Sequence, residues 1–444
     1  METLIVACVQ QKMRLPQTLE DHRQDLRRFL RLAVNKQARL VIFPELAGMM
    51  VAPPLLAGFQ ASLLKRADLA RRRQTTLWQK LSGSLAGSLA RMLQVDLRRL
   101  VAGLLELDGA AVWQAYVDVY AGLAKEFDVT LVAPSAYLPD PLDGVIRNLS
   151  VVFGPDGAQL GYQAKGVLHP EDEDLAQPGN EWRVIQTDVG RIGLMLGSDM
   201  LYPEVGRLLA YQGAEILIGQ GAATDRALYE KLRSGMLARM QDNQLFAAIS
   251  FLVGPNELSL RQRKPFIGKS AILAPQELTP DASGVLVEMS NYRSESVLTA
   301  AWDFPALREL WETSDTPVRR RLPMESLGPA LAQLYQRMQQ LPRPGDQPAL
   351  PGSVEGASPE HLDLDELPVL ASVTERWPLP QSESDATPDQ PPERPTEEGS
   401  ADFLRAAMRS PAPEESDAAG RPATNETDET QEMDALLRPE NEDP

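Results

Sequence analysis

Cysteine and histidine are scarce in this chain, which has one cysteine and three histidines among 444 residues. A single thiol excludes a disulfide framework, because each bridge needs two cysteines. Three histidines spread along the chain argue against a dedicated His/Cys metal site. We therefore expect no metal and no cofactor.

Long apolar runs are also missing. No uninterrupted apolar stretch reaches the roughly 18 residues that a membrane span needs. The start of the chain lacks the basic residues of a secretory signal, and the apolar run from Leu4 to Val9 is too short for one. We expect a cytoplasmic protein with Cys8 reduced.

Basic residues are sparse in the last hundred positions. Residues 345–444 hold 25 acidic residues against 6 basic ones, and 15 of the 36 prolines. The net charge of −18 therefore divides into −19 for this tail and +1 for residues 1–344. This composition predicts a disordered tail over 345–444, after a main domain over 1–320 and a helical extension or linker over 321–344. The near-neutral body gives no reason to expect nucleic acid binding.

Two short amphipathic segments interrupt the polar tail, at residues 401–409 and 432–437. Such segments can fold in the groove of a protein partner, which is one interpretation. The alternative is a passive, solubilising tail with chance apolar clusters.

The body alternates short β-branched runs with helical patterns, which is typical of a layered α/β fold with a mixed sheet. Helices are predicted over 18–34, after Pro203 and over 227–243. Strands are predicted over 4–9, 39–43, 129–133, 149–153, 159–163, 182–187, 191–196, 216–219, 245–253, 270–274 and 285–289.

Residues 53–109 differ in character, because leucines repeat at helical spacing from Leu81 to Leu104. This pattern predicts a helical insertion packed on the body or on a second subunit. An interfacial membrane helix assisted by the arginines at 71–73 is the alternative. Glu106 and Asp108 weaken that alternative, so we expect no membrane contact.

Three segments place reactive groups just after strands. Glu45, in Phe43-Pro44-Glu45, can act as a general base in a desolvated pocket, although a loop residue or helix cap is the plainer interpretation. Lys165 follows a strand in the same way and can stabilise an oxyanion, although lysines are usually solvated. The strand over 191–196 ends in a small-residue elbow before Pro203, a geometry that suits a nucleophile.

Together these segments resemble the nitrilase superfamily, the carbon-nitrogen hydrolases, over roughly residues 1–305. The family's Phe-Pro-Glu motif matches at Glu45, its lysine at Lys165, and its Cys-x-Asp-x-x-x-Pro-Glu elbow over 197–204. Arg239 with the Asp-Asn pair at 242–243 looks like the family's Arg-x-x-Glu-Asn helix, and the run 268–270 looks like its Gly-x-Ser strand entry.

The resemblance implies a four-layer αββα sandwich, commonly paired into a homo-oligomer. It also implies a covalent mechanism, in which Glu45 would activate a cysteine thiol, Lys165 would stabilise the charged intermediate, and water would release the acyl group. A second glutamate orients these groups, and Glu173, or alternatively Glu171, matches it.

The chain departs from the family at the nucleophile, because Gly197 stands where the cysteine belongs. Glycine has no side chain and cannot form the thioester. Ser198 is one residue out of place and lacks a histidine base. Cys8, in the first strand, is expected to be a buried apolar filler.

We therefore predict a carbon-nitrogen hydrolase-fold protein without the usual cysteine chemistry, which acts as a ligand-binding, scaffold or regulatory protein. The alternative is an active hydrolase of amide or nitrile bonds, in which Glu45 and Lys165 work with Ser198 or water as the nucleophile. The sequence does not decide between an enzyme and a binding protein. In both cases the expected ligand is a small amide-like or nitrile-like molecule.

Overall fold

A computed structural model describes residues 3–56, 97–257, 264–316, 318 and 324–337 of the chain. The helices are α1 (Leu19–Asn35), α2 (Leu97–Phe127), α3 (Pro203–Tyr211), α4 (Arg226–Asn243), α5 (Phe304–Thr313) and α6 (Met324–Arg337). The strands are β1 (Thr3–Lys12), β2 (Leu40–Ile42), β3 (Thr130–Val132), β4 (Ala136–Pro139), β5 (Ile146–Phe153), β6 (Gln159–Ala164), β7 (Ile185–Thr187), β8 (Gly190–Leu196), β9 (Ile216–Ala222), β10 (Phe246–Val253), β11 (Ala271–Leu273), β12 (Val285–Glu288) and β13 (Ser296–Asp303).

The strands form a curled, mixed sheet in the order β4-β5-β3-β2-β1-β10-β9-β8-β7. Its centre, from β3 through β2, β1, β10 and β9 to β8, is entirely parallel. Strands β6, β11, β12 and β13 are antiparallel additions at the sides. The carboxyl ends of the six parallel strands therefore lie along one edge, which is where open α/β sheets bind ligands.

Three apolar cores separate the layers. Along β1, Leu4, Val6 and Cys8 point into a core between the two halves of the sheet, whereas Ala7 and Val9 point into a second core. The second core lies beneath α1 and α2, and a third lies beneath α3 and α4. Alternate residues of a strand face opposite sides, so a strand covered on both faces is apolar throughout. The α/β class and the four-layer αββα arrangement predicted from the sequence are confirmed.

The predicted helices and strands outside the insertion and tail all occur, with small shifts at their ends. The turn Gly-Pro-Asp-Gly at 154–157 joins the predicted strands β5 and β6 in a hairpin, and Gly157 has a φ of 82°. Three elements were missed: β4, β13 and α5. Strand β13 pairs with β1 along eight residues, but its outward face is only partly buried, so its sequence lacks the apolar run of a central strand.

Most of the predicted helical insertion lies outside the described residues, as does the predicted tail over 345–444 with its segments 401–409 and 432–437. The described parts of the insertion are residues 53–56 and the start of α2, where Val101 and Leu104 are buried in the second core. Within the described ranges, no helix combines the length and the apolar character that crossing a membrane requires. The domain boundaries at 320 and 344 stay predictions.

Candidate functional site

Glu45 and Gly197 lie at the carboxyl edge of the parallel sheet. Glu45 follows β2 and Gly197 follows β8, so the common direction of these strands brings the two positions to the same edge. Lys165 directly follows the added strand β6, and its backbone N–H donates to the carbonyl oxygen of Asn148 on β5, at 2.9 Å. Three segments far apart in the sequence therefore meet because of the sheet topology.

The centre of the site is a buried group of three charged side chains. The Lys165 Nζ donates to Glu45 Oε1 at 2.8 Å and to Asp172 Oδ2 at 2.7 Å. Glu45 is 2 % exposed, and Lys165 and Asp172 are each 3 % exposed. One ammonium thus lies between two carboxylates in a region of low dielectric, where such contacts are strong and the loss of one partner is costly.

Burial and charge act in opposite directions on these groups. Burial raises the pKa of Glu45, and the positive charge of Lys165 only partly offsets that effect. Burial would also raise the pKa of Asp172, but Lys165 and hydrogen bonds from Tyr137 and the His169 backbone outweigh it and lower the pKa. Burial would lower the pKa of Lys165, whereas the two carboxylates raise it. The result is a firmly charged Lys165–Asp172 pair beside a Glu45 carboxyl that accepts a proton more readily than usual.

Two further polar side chains fix the carboxylates. The Tyr137 hydroxyl donates to Asp172 Oδ1 at 2.6 Å, and the Asn148 Nδ2 donates to Glu45 Oε1 at 3.2 Å. Asn148 is fully buried on β5, and Tyr137 is buried on β4. Glu45 Oε1 therefore accepts from both Lys165 and Asn148, which holds the carboxyl in one orientation.

The backbone at Gly197 has the sharp turn expected of an elbow. Its φ is 52°, in the left-handed region that side chains disfavour, and it begins a short 3-10 helix (Gly197–Leu201). A Cβ atom added here would lie 2.7 Å from Lys165 Nζ and 2.8 Å from Glu45 Oε1. The Lys165–Glu45 pair thus occupies the space that a side chain at position 197 would enter.

Asp199 connects the elbow to the loop that follows Lys165. Its carboxylate accepts from the backbone N–H groups of Val167 at 2.8 Å and Gly166 at 3.1 Å, and from that of Leu196 at 3.3 Å. It is fully buried. Burial raises the pKa of Asp199, and these N–H groups partly compensate. One carboxylate therefore sets the position of Lys165 relative to Gly197.

Helix α4 supports the elbow from the other side. The Arg239 Nη1 donates to the Met200 carbonyl oxygen at 3.4 Å, and its Nη2 donates to Asp242 at 3.0 Å. Asn243 Nδ2 donates to the Arg239 carbonyl oxygen at 2.8 Å. This accounts physically for the Arg-x-x-Asp-Asn pattern, which anchors the elbow from a neighbouring helix.

A cavity of about 70 Å³ opens above the charged group. Ser198, which is 9 % exposed, lines it, and its hydroxyl makes no hydrogen bond to any residue of the described ranges. The described lining consists of Glu45, Leu46, Arg98, Tyr137, Lys165, His169, Glu171, Asp172, Gly197, Ser198, Ala222, Thr224, Leu228, Leu232, Asn256 and Phe266. The cavity is of a size suited to a small polar molecule.

The structure brings four of the five predicted site positions together: Glu45, Lys165, Gly197 and Ser198. The role predicted for Glu173 needs correction, because its side chain is exposed. The second carboxylate that contacts Lys165 belongs to its neighbour, Asp172. Glu171 lines the cavity but is only partly buried.

Four further residues belong to the site although no sequence pattern singled them out: Tyr137, Asn148, Asp172 and Arg98. Asp172 lies inside the acidic run over 171–174, and an irregular loop has no period that shows which side chain points inward. Tyr137 was missed together with its strand, β4.

Cys8 lies in the core between the two halves of the sheet. Its thiol donates to the Ile249 carbonyl oxygen at 3.2 Å, and burial raises its pKa to about 12. A buried thiol of that pKa is a poor nucleophile. Across the part of the chain that the structure describes, no group of three potential metal-ligating side chains comes together.

A family model described as carbon-nitrogen hydrolase matches residues 5–310. The chain is 28% identical over 195 residues to a protein named probable hydrolase YhcX from Bacillus subtilis, a match that covers 44% of this chain and 37% of that protein. It is 26% identical over 216 residues to omega-amidase NIT2-B of Xenopus laevis, which covers 46% of this chain and 71% of that protein. The chain therefore spans little more than a third of the length of the first relative.

Among solved structures, the crystal structure of a carbon-nitrogen hydrolase from Helicobacter pylori is similar, with a TM-score of 0.51 and 20% sequence identity. The match covers 74% of this chain and 98% of that one. At this identity the likeness supports the fold.

Proposed function

The chain belongs to the carbon-nitrogen hydrolase family, and from that premise we propose that it binds a small amide-like or nitrile-like molecule without forming a covalent intermediate. In this role it acts as a ligand-binding, scaffold or regulatory protein. The ligand class is taken from the family and from the amidase among the relatives. A cytoplasmic location, a homo-oligomer and a protein partner of the tail stay predictions.

The main observation that supports this proposal is the glycine at position 197. At the turn where the family has its cysteine, this chain has no side chain, and the Lys165–Glu45 pair fills the space that a Cβ would need. Covalent catalysis requires a nucleophilic atom placed between the base and the oxyanion donor. Here those two groups contact each other instead, at 2.8 Å.

The remaining groups are suited to non-covalent recognition. A primary amide presents N–H donors and a carbonyl acceptor, which complement a carboxylate and an ammonium. Glu45 and Lys165 supply this pair at the base of the cavity, while Asp172, Tyr137 and Asn148 keep it in place. Preorganised polar groups of this kind reduce the free-energy cost of binding.

The test uses three forms of the full chain, namely wild type, Gly197→Cys and Gly197→Ala, with a panel of small amides and nitriles. We expect the wild type to bind members of the panel in calorimetry, with no turnover and no acyl adduct by mass spectrometry. Gly197→Cys is expected to gain an adduct once the side-chain ends of Lys165 and Glu45 shift to admit the thiol. Because a side chain at a φ of 52° is strained, thermal unfolding checks that both variants fold. Gly197→Ala, the matched control, adds the Cβ without the thiol and should gain none.

Wild-type turnover that disappears in Glu45→Gln would contradict the proposal. It would favour the second candidate, an amide or nitrile hydrolase that uses Ser198 or water. The observation behind that candidate is that Ser198 lines the same cavity, with its hydroxyl directed to no hydrogen-bond partner among the described residues.

Ser198→Ala separates the two forms of this second candidate. If Ser198 is the nucleophile, the variant loses both turnover and a seryl adduct. If water attacks directly, with the raised pKa of Glu45 favouring proton uptake, turnover persists in Ser198→Ala and no adduct forms.

A further inference from the structure

The residue that follows Glu45 has an unusual backbone conformation. Leu46 has a φ of 61° and a ψ of −6°, in the left-handed region that bulky side chains disfavour. Positions just after a helix often adopt this region, as Gln37 and Gln244 do after α1 and α4, but Leu46 precedes a short 3-10 helix instead. The backbone at Leu46 is therefore strained, and a strained residue persists only where its surroundings fix it.

The contacts that fix this turn come from Ser135, which lies in the short link between β3 and β4 and is fully buried. Its Oγ accepts the Leu46 backbone N–H at 3.0 Å, and its carbonyl oxygen accepts the Gly48 backbone N–H at 3.1 Å. A Cβ atom at Gly48 would lie 2.6 Å from the Pro134 carbonyl oxygen, so a side chain there would force the two segments apart. One serine thus binds the turn on both sides of Ala47.

Gln220 holds the chain on the other side of Glu45. It is fully buried on β9, and its Nε2 donates to the Phe43 carbonyl oxygen at 2.7 Å and to the Ala133 carbonyl oxygen at 2.9 Å. The backbone is therefore anchored two residues before Glu45 by Gln220 and one residue after it by Ser135.

Of these two anchors, Ser135 acts directly on the strained residue. The N–H that it accepts belongs to the peptide group that joins Glu45 to Leu46. A rotation of that peptide group moves the Glu45 Cα, and with it the carboxyl whose Oε1 lies 2.8 Å from Lys165 Nζ. If Leu46 relaxed to a negative φ, the carboxyl would lose this short contact.

We infer that Ser135 is a positioning residue, which keeps Leu46 in its strained conformation and thereby keeps the Glu45 carboxyl against Lys165. The inference rests on the binding function proposed above and deepens it, since this carboxyl is one of the two groups that face the ligand. Ser135 is not part of the described cavity lining, so it acts through the turn and not on the ligand itself.

The experiment measures the affinity of the full chain for propionamide by calorimetry at pH 7.5. Ser135→Ala should weaken binding about tenfold, because the turn loses one hydrogen bond and relaxes. In the Leu46→Gly background the same substitution should cost no more than about threefold, because glycine adopts a positive φ without strain. This rescue separates an effect that passes through the turn from a general loss of stability.

Ser250→Ala is the matched control. Ser250 is an equally buried serine, whose hydroxyl donates to the Val9 carbonyl oxygen on β1. The substitution also removes one buried hydrogen bond, but it should leave the propionamide affinity within about twofold of the wild type. Thermal unfolding checks that every variant is folded.

A second readout needs no ligand. It is the titration of the Glu45 carboxyl, followed by NMR of chain labelled at its glutamate carboxyl carbons and assigned by the signal that Glu45→Gln removes. Because Lys165 lowers the pKa of Glu45, loss of their contact in Ser135→Ala should raise that pKa by about one pH unit, and the control variant should leave it unchanged. The other charged groups that act on Glu45, Asp172 and Asp199, are held by contacts that neither substitution alters.

An affinity that falls equally in Ser135→Ala and Ser250→Ala would overturn the inference and leave the binding function intact. An effect of Ser135→Ala that is the same with and without Leu46→Gly would do so as well. If the wild type binds neither propionamide nor any other amide or nitrile of the panel, the binding function fails, and the Glu45 titration then decides the role of Ser135 by itself. A Glu45 pKa that stays unchanged in Ser135→Ala overturns that role in either case.

Discussion

At the scale of single residues, the site depends on one lysine held between two carboxylates. Glu45 comes from the end of β2, whereas Asp172 comes from the loop after Lys165 itself. In the acidic run over 171–174, Asp172 alone is buried and contacts Lys165. Neighbouring carboxylates of the same chemistry therefore have different roles, which burial and contacts decide.

The different surroundings of Asp172 and Glu173 can be tested by substituting each residue in turn. Asp172→Asn removes a charged partner from Lys165 and an acceptor from Tyr137, so we expect a loss of about 1–3 kcal/mol in the free energy of unfolding. Ligand affinity should fall as well, because Lys165 loses its fixed position. Urea denaturation and calorimetry measure the two effects.

Glu173→Gln is the control for that experiment, since its side chain is exposed one residue further along. It should remain within about 0.5 kcal/mol of the wild type. If both variants behaved alike, the assignment of the second carboxylate to Asp172 would be wrong.

At the scale of elements, the elbow is held by contacts from three directions. Strand β8 leads into it, α4 supports it through Arg239, and the loop after β6 is attached to it by Asp199. A residue with a φ of 52° stays in place only when its surroundings fix it, and these contacts provide that restraint. The elbow geometry is therefore retained although the side chain that it would present is missing.

Asp199→Asn tests the connection between the elbow and the Lys165 loop. The substitution replaces one acceptor oxygen by an NH₂ group that faces backbone N–H donors, so at least one buried donor loses its partner. We expect destabilisation of about 1–3 kcal/mol and faster amide hydrogen exchange at Gly166 and Val167.

The same substitution at Asp281, which is exposed in a turn, provides the comparison. Asparagine tolerates its φ of 59°, so Asp281→Asn should leave both stability and exchange unchanged. Exchange at 166 and 167 that is the same in both variants would show that Asp199 does not hold the loop.

At the scale of the whole molecule, the outer helices α1 and α2 are joined to each other by a buried polar contact as well as by apolar packing. His22 on α1 lies 3.1 Å from the Tyr120 hydroxyl on α2, between the ring nitrogen Nε2 and the oxygen. The imidazole is only 3 % exposed. Burial, together with the positive charge of Arg23, lowers its pKa to about 4.

This contact predicts a dependence of stability on pH. Between pH 6.5 and about 4, the unfolded chain binds a proton at His22 that the folded protein does not bind, so acidification favours unfolding. The His22 contribution should cost about 3 kcal/mol by pH 4 and nothing above pH 7. His22→Gln removes the titrating group and keeps a hydrogen-bonding side chain beside Tyr120.

The measurement is the free energy of unfolding of the wild type and of His22→Gln at pH 7.5 and pH 4.5. The difference between the two proteins isolates His22 from the carboxylates, which titrate in both. If the wild type lost no more stability than His22→Gln on acidification, the low folded-state pKa of His22 would be wrong.

Much of the fold could be predicted from the chain. Strands such as β8, β9 and β10 are buried on both faces and read as continuous apolar runs, and α1 begins with a Thr18 capping box. Strand β13 could not be predicted in this way, because its pairing with β1 depends on a partner almost 300 positions away in the sequence. A local sequence pattern indicates a strand through its buried apolar residues, and a strand that is only partly buried has few of them.

The sequence by itself determined the α/β class and the division of charge between body and tail, because strand patterns and composition are local properties. The αββα arrangement and the site positions Glu45, Lys165 and Gly197 followed from the resemblance of their motifs to the carbon-nitrogen hydrolases. Only the tertiary structure decided that Asp172 rather than Glu173 contacts Lys165, that Asn148 and Tyr137 fix the carboxylates, and that Arg98 reaches the cavity. Those contacts join segments whose meeting depends on the parallel sheet, and the direction of a side chain in an irregular loop follows from packing that no local pattern encodes.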